Sequence, residues 1–294
     1  MTTTALLGAH VSTAGGVATA PARARAIGAT AIQLFTKTPN QWREPVLAAD
    51  AIARFKAERR RLGIRMVVSH DSYLINLASP DPALRERSMQ CFVGELRRCL
   101  ALGIPYVVSH PGNYIDDRNA GLARNSAAYA WCLAQVPGRV GVLIEGTAGA
   151  GTALGASFEE LARLRRALPP EAQSRVGFCL DTAHLHAAGY DIAGNPEAVW
   201  AEFHRIVGRP RLRCLHLNDS KAARGSRLDR HAWIGEGTIG PAAFRAIMRD
   251  PKLAKVIKII ETPKGDDPLR HDRRMLRRLR AFARDRRPRS AVPS

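Results

Sequence analysis

Eight short, β-rich apolar runs recur along this chain with helical patterns between them, and no other feature restricts the fold so narrowly. They read LLGAH (6–10), AIQLF (31–35), RMVVSH (65–70), PYVVSH (105–110), VGVLIE (140–145), VGFCLD (176–181), LRCLHL (212–217) and VIKIIE (256–261). The intervening segments include AIARFKAERRRLG (51–63), ALRERSMQCFVGELRRCLALG (83–103) and SFEELARLRRAL (157–168), with Gly or Pro as terminators. From His70 to His110, Glu145, Asp181 and His216 the steps are roughly 35–40 residues, one strand and one helix each time. Eight such units in 294 residues predict an α/β fold, a single (β/α)8 TIM barrel over residues 1–285, followed by a basic tail (286–294) expected to be disordered. An open doubly wound sheet would stop at fewer strands and show a Gly-rich first turn, which this chain lacks.

Polar residues fall at the ends of these runs: His10, His70, His110, Glu145, Asp181, His216 and Glu261. One histidine at a strand end is more often a satisfied core residue than a ligand, but seven ligand-type ends in one barrel are hard to read that way. Barrels of this kind carry their sites at the C-terminal strand ends, so these side chains are expected to share one cavity. His184, Asp229 and His231 follow just beyond the strands. Nitrogen and carboxylate donors without cysteine suit zinc, with manganese or iron as competitors. The set exceeds what one tetrahedral ion takes and matches two or three ions sharing a bridging carboxylate. Metals so grouped are a common means of stabilising in-line displacement at phosphorus.

The net charge of +19 calls for a polyanionic partner, nucleic acid first among them. Much of that charge sits in Arg270–Ser290, readable either as a solvated helix face ending in a tail or as a direct DNA contact. Five scattered cysteines with no CxxC pair point to reduced, buried thiols and a cytoplasmic protein. Neither a signal-peptide pattern nor a membrane-length apolar run is present in the sequence. The residues alone therefore suggest a phosphodiesterase acting on nucleic acid.

The motifs HDSYLINLASPD, VVSHPGNY, VLIEGTAGAGTALG, GFCLDTAHLHAAGYD, HLNDSKAARGSRLDRHAWIGEGTIG and IIETPKGDD resemble endonuclease IV, the zinc-dependent apurinic/apyrimidinic endonuclease family, from about Gly8 to Asp267. The resemblance implies three zinc ions, with manganese as an alternative at one of them. His70, His110 and Glu145 would hold the first; Glu145, Asp181, His216 and Glu261 the second; His184, Asp229 and His231 the third. It also implies hydrolysis of the phosphodiester 5′ to an abasic site in double-stranded DNA, leaving a 3′-hydroxyl and a 5′-deoxyribose phosphate, and the cleaning of blocked 3′ ends. Glu145 and Glu261 would be the catalytic carboxylates, Glu261 either orienting or deprotonating the nucleophile or simply ligating. Tyr73 and Leu74 are candidate wedges in the DNA, ordinary loop packing being the alternative. Gln41, Lys221, Arg227 and Arg230 are further candidate DNA contacts, while Asn40 stands where some members carry an inserting arginine. A monomer without membrane attachment is expected.

Other features receive plainer readings. GTAGAGTALGAS (146–157) lacks the Lys-Ser/Thr of a phosphate loop and is expected to pass close to the metals. Asp219 is expected to shape its loop, His10 to line the site without a metal, His186 to lie on a helix surface or behind the ligands, and His204 and His271 to lie on the surface. Two rival functions stand beside the nuclease: a metal-dependent sugar isomerase or epimerase on the xylose isomerase-like barrel, and a DNA-binding barrel without catalysis.

Overall fold

The structure is a computed structural model and describes residues 5–284; the expected tail 286–294 lies outside the described residues. In chain order the strands are β1 (Leu7–His10), β2 (Ala31–Leu34), β3 (Met66–His70), β4 (Tyr106–Ser109), β5 (Gly141–Gly146), β6 (Val176–Asp181), β7 (Leu212–His216), β8 (Asp219–Ser220), β9 (His231–Ala232) and β10 (Ile257–Ile260). Eight of them form a closed parallel barrel in the order β1-β10-β7-β6-β5-β4-β3-β2, and β8 and β9 pair as a separate antiparallel hairpin. All eight expected strands are present, four of them ending one residue short of the apolar run, which leaves Phe35, His110, Leu217 and Glu261 just past the strand. Closure joins the two ends of the chain, with Leu7 beside Lys258 and Ala9 beside Ile260.

The helices are α1 (Ala20–Ala26), α2 (Ala49–Arg61), α3 (Pro82–Leu102), α4 (Arg118–Gln135), α5 (Phe158–Arg166), α6 (Pro170–Ser174), α7 (Thr182–Ala188), α8 (Pro196–Ile206), α9 (Gly240–Arg249) and α10 (Pro268–Arg284). The chemistry of their ends explains where they start. Asp81, Asp117, Ser157, Asp181 and Asn195 each accept from the first exposed backbone N–H groups of the helix that follows. Helix α3 ends on Gly103, whose φ of 70° suits a residue without a Cβ. None of the described helices is long and apolar enough to cross a membrane.

Because successive strand side chains point to opposite faces, the barrel sorts each strand into two sets. Outward residues such as Ile32, Val67, Val107, Val142, Phe178 and Leu215 join the large core beneath the helices. Inward residues Ala31, Val68, Val108, Leu143, Cys179, Cys214, Ile257 and Ile259 form a second, smaller core inside the barrel. Two residues further along, the inward position becomes Gln33, His70, His110, Glu145, Asp181, His216 and Glu261, with His10 on β1. One step up the barrel changes the interior from hydrocarbon to ligand chemistry. The five cysteines are free and buried, two of them in that apolar layer.

Candidate metal centre

This polar layer lines a cavity of about 610 Å³, large enough for a nucleotide, whose walls include His10, His70, Tyr73, His110, His184, Asp229, His231 and Glu261. Glu145 is fully buried behind the histidines of that wall. Its Oε2 lies 3.3 Å from His70 Nε2 and 3.4 Å from His110 Nε2, while Oε1 lies 3.0 Å from His216 Nδ1 and 3.4 Å from His184 Nδ1. The carboxylate therefore faces two groups of donors at once. His70, His110 and Glu145 form one compact group and Glu145, Asp181, His216 and Glu261 another, the donor atoms of each lying within 4.8 Å of one another. In a third, His184 Nε2 and His231 Nε2 lie 3.2 and 3.1 Å from the two oxygens of Asp229. Asp181 also gathers with His184 and His231, so a second carboxylate stands between groups, which the sequence reading did not expect.

The orientation of the imidazoles is the test of what this cavity can hold. His70 Nδ1 lies 2.9 Å from the Asp71 carbonyl, His184 Nδ1 2.9 Å from the Gly146 carbonyl and His231 Nδ1 3.2 Å from the Glu261 carbonyl. His216 Nε2 lies 2.8 Å from the side-chain oxygen of Gln33. Carbonyl oxygens only accept, so each of these nitrogens carries a proton, and the other ring nitrogen faces the carboxylates, where losing its own proton frees a lone pair for a metal. That arrangement is how metal-bound histidines are held. The spacing agrees: donors about 2.0–2.1 Å from a common tetrahedral centre lie about 3.3 Å apart. Glu145 Oε2 and His231 Nε2 are moreover buried without a hydrogen bond. A set of nitrogen and carboxylate donors with unmet lone pairs fits a divalent metal.

Charge balance points the same way. Burial alone would deprotonate His70 and His231, but Glu145 and Asp71 around the first, and Asp181 and Asp229 around the second, raise each to about 9. Burial, with His70 and His184 nearby, sets His110 at about 4 despite Glu145. Burial would raise the Glu145 carboxyl, yet His216 and His110 hold it well below the usual range. Glu261 is depressed by His216 and His10 against its own burial, and Asp229 by His184 and His231. Carboxylates packed this closely demand positive charge, from protons or from metal.

Sequence reading missed the residues that hold the donor groups in place. Gln33 is buried on β2; its Nε2 donates to Glu261 Oε1 at 2.6 Å while its oxygen fixes His216. Asn218 donates to Asp181 Oδ2 and accepts from the Glu261 backbone N–H. The other oxygen of Asp181 caps α7, the helix that carries His184. His10 lines the cavity as expected, 3.2 Å from Glu261 Oε1. Asp219 shapes its loop, accepting from the backbone of Ser220, Gly235 and Ile239.

Two expectations need correcting. His186 is buried, which excludes the helix-surface alternative: its ring pairs with the Thr238 hydroxyl beyond β9, and its carbonyl accepts from Gly225 of the β8–β9 segment folded over α7. His271 is not a free surface residue: it stacks on Trp233 at 4.8 Å and bonds Asp266.

Of the candidate DNA contacts, Tyr73 lines the cavity itself. Tyr73 is 72% exposed and packs edge-on against Phe35; Leu74 beside it is half-buried. Gln41 is exposed, its carbonyl held by buried Lys37. Lys221, Arg227 and Arg230 are exposed on the segment joining β8 to β9, as is Leu228, which the sequence reading passed over.

The xylose isomerase-like TIM barrel family matches residues 21–279. The probable endonuclease 4 of Chloroflexus aggregans is 48% identical over 94% of this chain and 97% of its own. The crystal structure of endonuclease IV from Thermus thermophilus superposes with a TM-score of 0.84 at 38% identity, over 95% of this chain and 98% of that one. A D-tagatose 3-epimerase-like protein also superposes, with a TM-score of 0.70, over 95% of this chain and 98% of that chain, but at 17% identity that likeness shows the fold alone. The chain belongs to the endonuclease 4 family: it is an endonuclease built on a xylose isomerase-like TIM barrel.

Proposed function

We propose that this chain is a DNA-repair enzyme that hydrolyses the phosphodiester 5′ to abasic sites, leaving a 3′-hydroxyl and a 5′-deoxyribose phosphate, and that it also clears blocked 3′ ends. The observation that carries the reading is Glu145, whose two oxygens face separate sets of imidazoles, with His70 in one and His216 in the other each bonding an acceptor through the opposite ring nitrogen. His70, His110 and Glu145 would hold one zinc ion, Glu145, Asp181, His216 and Glu261 a second, and His184, Asp229 and His231 a third, with manganese as an alternative at one of them. When bound, such ions supply Lewis acidity toward phosphoryl oxygens and lower the pKa of water.

The chain's own groups do the rest. With its carboxyl depressed, Glu261 stays ionised, so it orients and ligates better than it takes a proton. Glu145 keeps two donor groups at fixed separation. Tyr73 and Leu74 would hold open the duplex, whose distortion is least costly where a base is already missing. Gln41, Lys221, Arg227 and Arg230 would contact the DNA beside them, the three cations at its phosphates. No observation favours the sugar-isomerase reading, since the likeness to epimerases lies in the barrel alone. Incision of a duplex bearing one abasic-site analogue, with and without a zinc chelator, tests the reading. Cleavage on the 5′ side that chelation abolishes and zinc restores is expected; no incision by zinc-loaded protein would overturn it.

A further inference from the structure

Helix α10 carries arginines on two faces, and they meet different surroundings. Arg274 and Arg278 both reach Glu236, at 3.3 and 2.9 Å, and Arg274 also covers the Trp233 ring. Arg273, Arg277, Arg280 and Arg284, spaced four, three and four residues apart, share the other face. Three of these, with Arg25 from α1, line a furrow of about 350 Å³ that has no acidic residue in its walls. Arg273 donates to the Ala26 carbonyl and Arg280 to the Gly28 carbonyl, so both side chains are pinned there. Cations at a helix C-terminus explain that pair. Arg25 also stands in the last turn of α1, but Arg277 has no such account, and both are exposed and line the same furrow. Burial and the adjacent Arg284 already disfavour the charge on Arg280. Convergence of like charges is relieved by an anion, and guanidinium forks match phosphate oxygens.

The furrow is remote from the metal centre. Gly28 lies three residues before the start of β2, at the opposite end of the strands from the cavity. A straight duplex lying across the mouth would not reach it. We infer that Arg25, Arg273, Arg277 and Arg280 form a second phosphate-binding furrow that grips the backbone of duplex DNA away from the cavity. The inference rests on DNA being the substrate, as proposed above. Such a grip would tether the enzyme to undamaged DNA while the mouth is empty.

Arg25→Gln combined with Arg277→Gln tests it, since neither side chain caps a carbonyl or belongs to the cavity. With an undamaged duplex of about 60 base pairs, affinity should fall several-fold, and the logarithmic salt slope should flatten by up to about 1.8, at about 0.9 per lost phosphate contact. With a duplex of about 12 base pairs, about 40 Å long, carrying one abasic-site analogue, binding and incision should equal those of the parent. An unchanged slope on the long duplex would overturn the proposal. So would an equal loss on the short one, which would place the arginines at the mouth. Failure of the parent to incise would count against the function proposed above and leave the salt comparison readable.

Discussion

Leu143 and Glu145 lie two residues apart on β5, both fully buried and both facing the inside of the barrel. Leu143 belongs to a layer in which seven of the eight strands offer hydrocarbon or a thiol, and its burial stabilises the fold through the area it removes from water. Glu145 belongs to the layer above, where burial opposes the charge and only surrounding imidazoles keep it ionised. The same backbone geometry delivers both. The difference shows that the barrel separates its two tasks by height along the strands, so a substitution's height should foretell whether it harms stability or chemistry.

The largest effect expected from this contrast is on catalysis. Glu145→Ala should lower incision by more than about 10³ and remove more metal than His231→Ala, since Glu145 faces two donor groups. Incision rates and metal analysis of the folded variants check this; equal metal loss in both would break the ordering. Leu143→Ala should do the reverse, destabilising the protein by about 2–5 kcal/mol in denaturant while each folded molecule keeps its metal. Gln33→Ala sits on the boundary. It removes the groups that orient His216 and Glu261, so metal affinity measured against a competing chelator should fall about 10–100-fold with little change in folding.

The smallest effect is on pH. In the metal-free protein His70 and His231 are raised from 6.5 to about 9, so the stability they contribute is fully present below 6.5 and lost as pH rises through about 9. Denaturation midpoints of the metal-free chain should decline across that window. Metal affinity should climb across it, because fewer protons remain to be displaced. A flat stability profile would mean these imidazoles are already neutral.

The sequence made the barrel readable because each βα unit is a local signal repeated eight times. It made most of the cavity readable because a histidine or carboxylate ending an apolar run is conspicuous. Gln33 was invisible for the same reason in reverse: an uncharged amide inside AIQLF does not interrupt the run, and its partners are 183 and 228 residues away. Asn218 hides in the same way next to His216. The burial of His186 depends on how the β8–β9 segment and Thr238 beyond it fold back over α7, contacts between segments with no periodic signature. Asp181 could be recognised as a donor, but not as a neighbour of two groups, since that follows from the three-dimensional position of α7.

Barrel closure through β1 and β10 has a consequence for the order of assembly. His10 and Glu261, in contact in the finished molecule, are 251 residues apart, and the second donor group draws on residues from Glu145 to Glu261. During synthesis at about 5–20 residues per second, the chain would carry exposed histidines and carboxylates for many seconds before the last of them arrives. No nascent fragment ending before β10 contains that group complete, and the loops to be closed are among the longest the chain allows. On the metal assignment proposed above, capture of the full complement is therefore a late event that waits for β10.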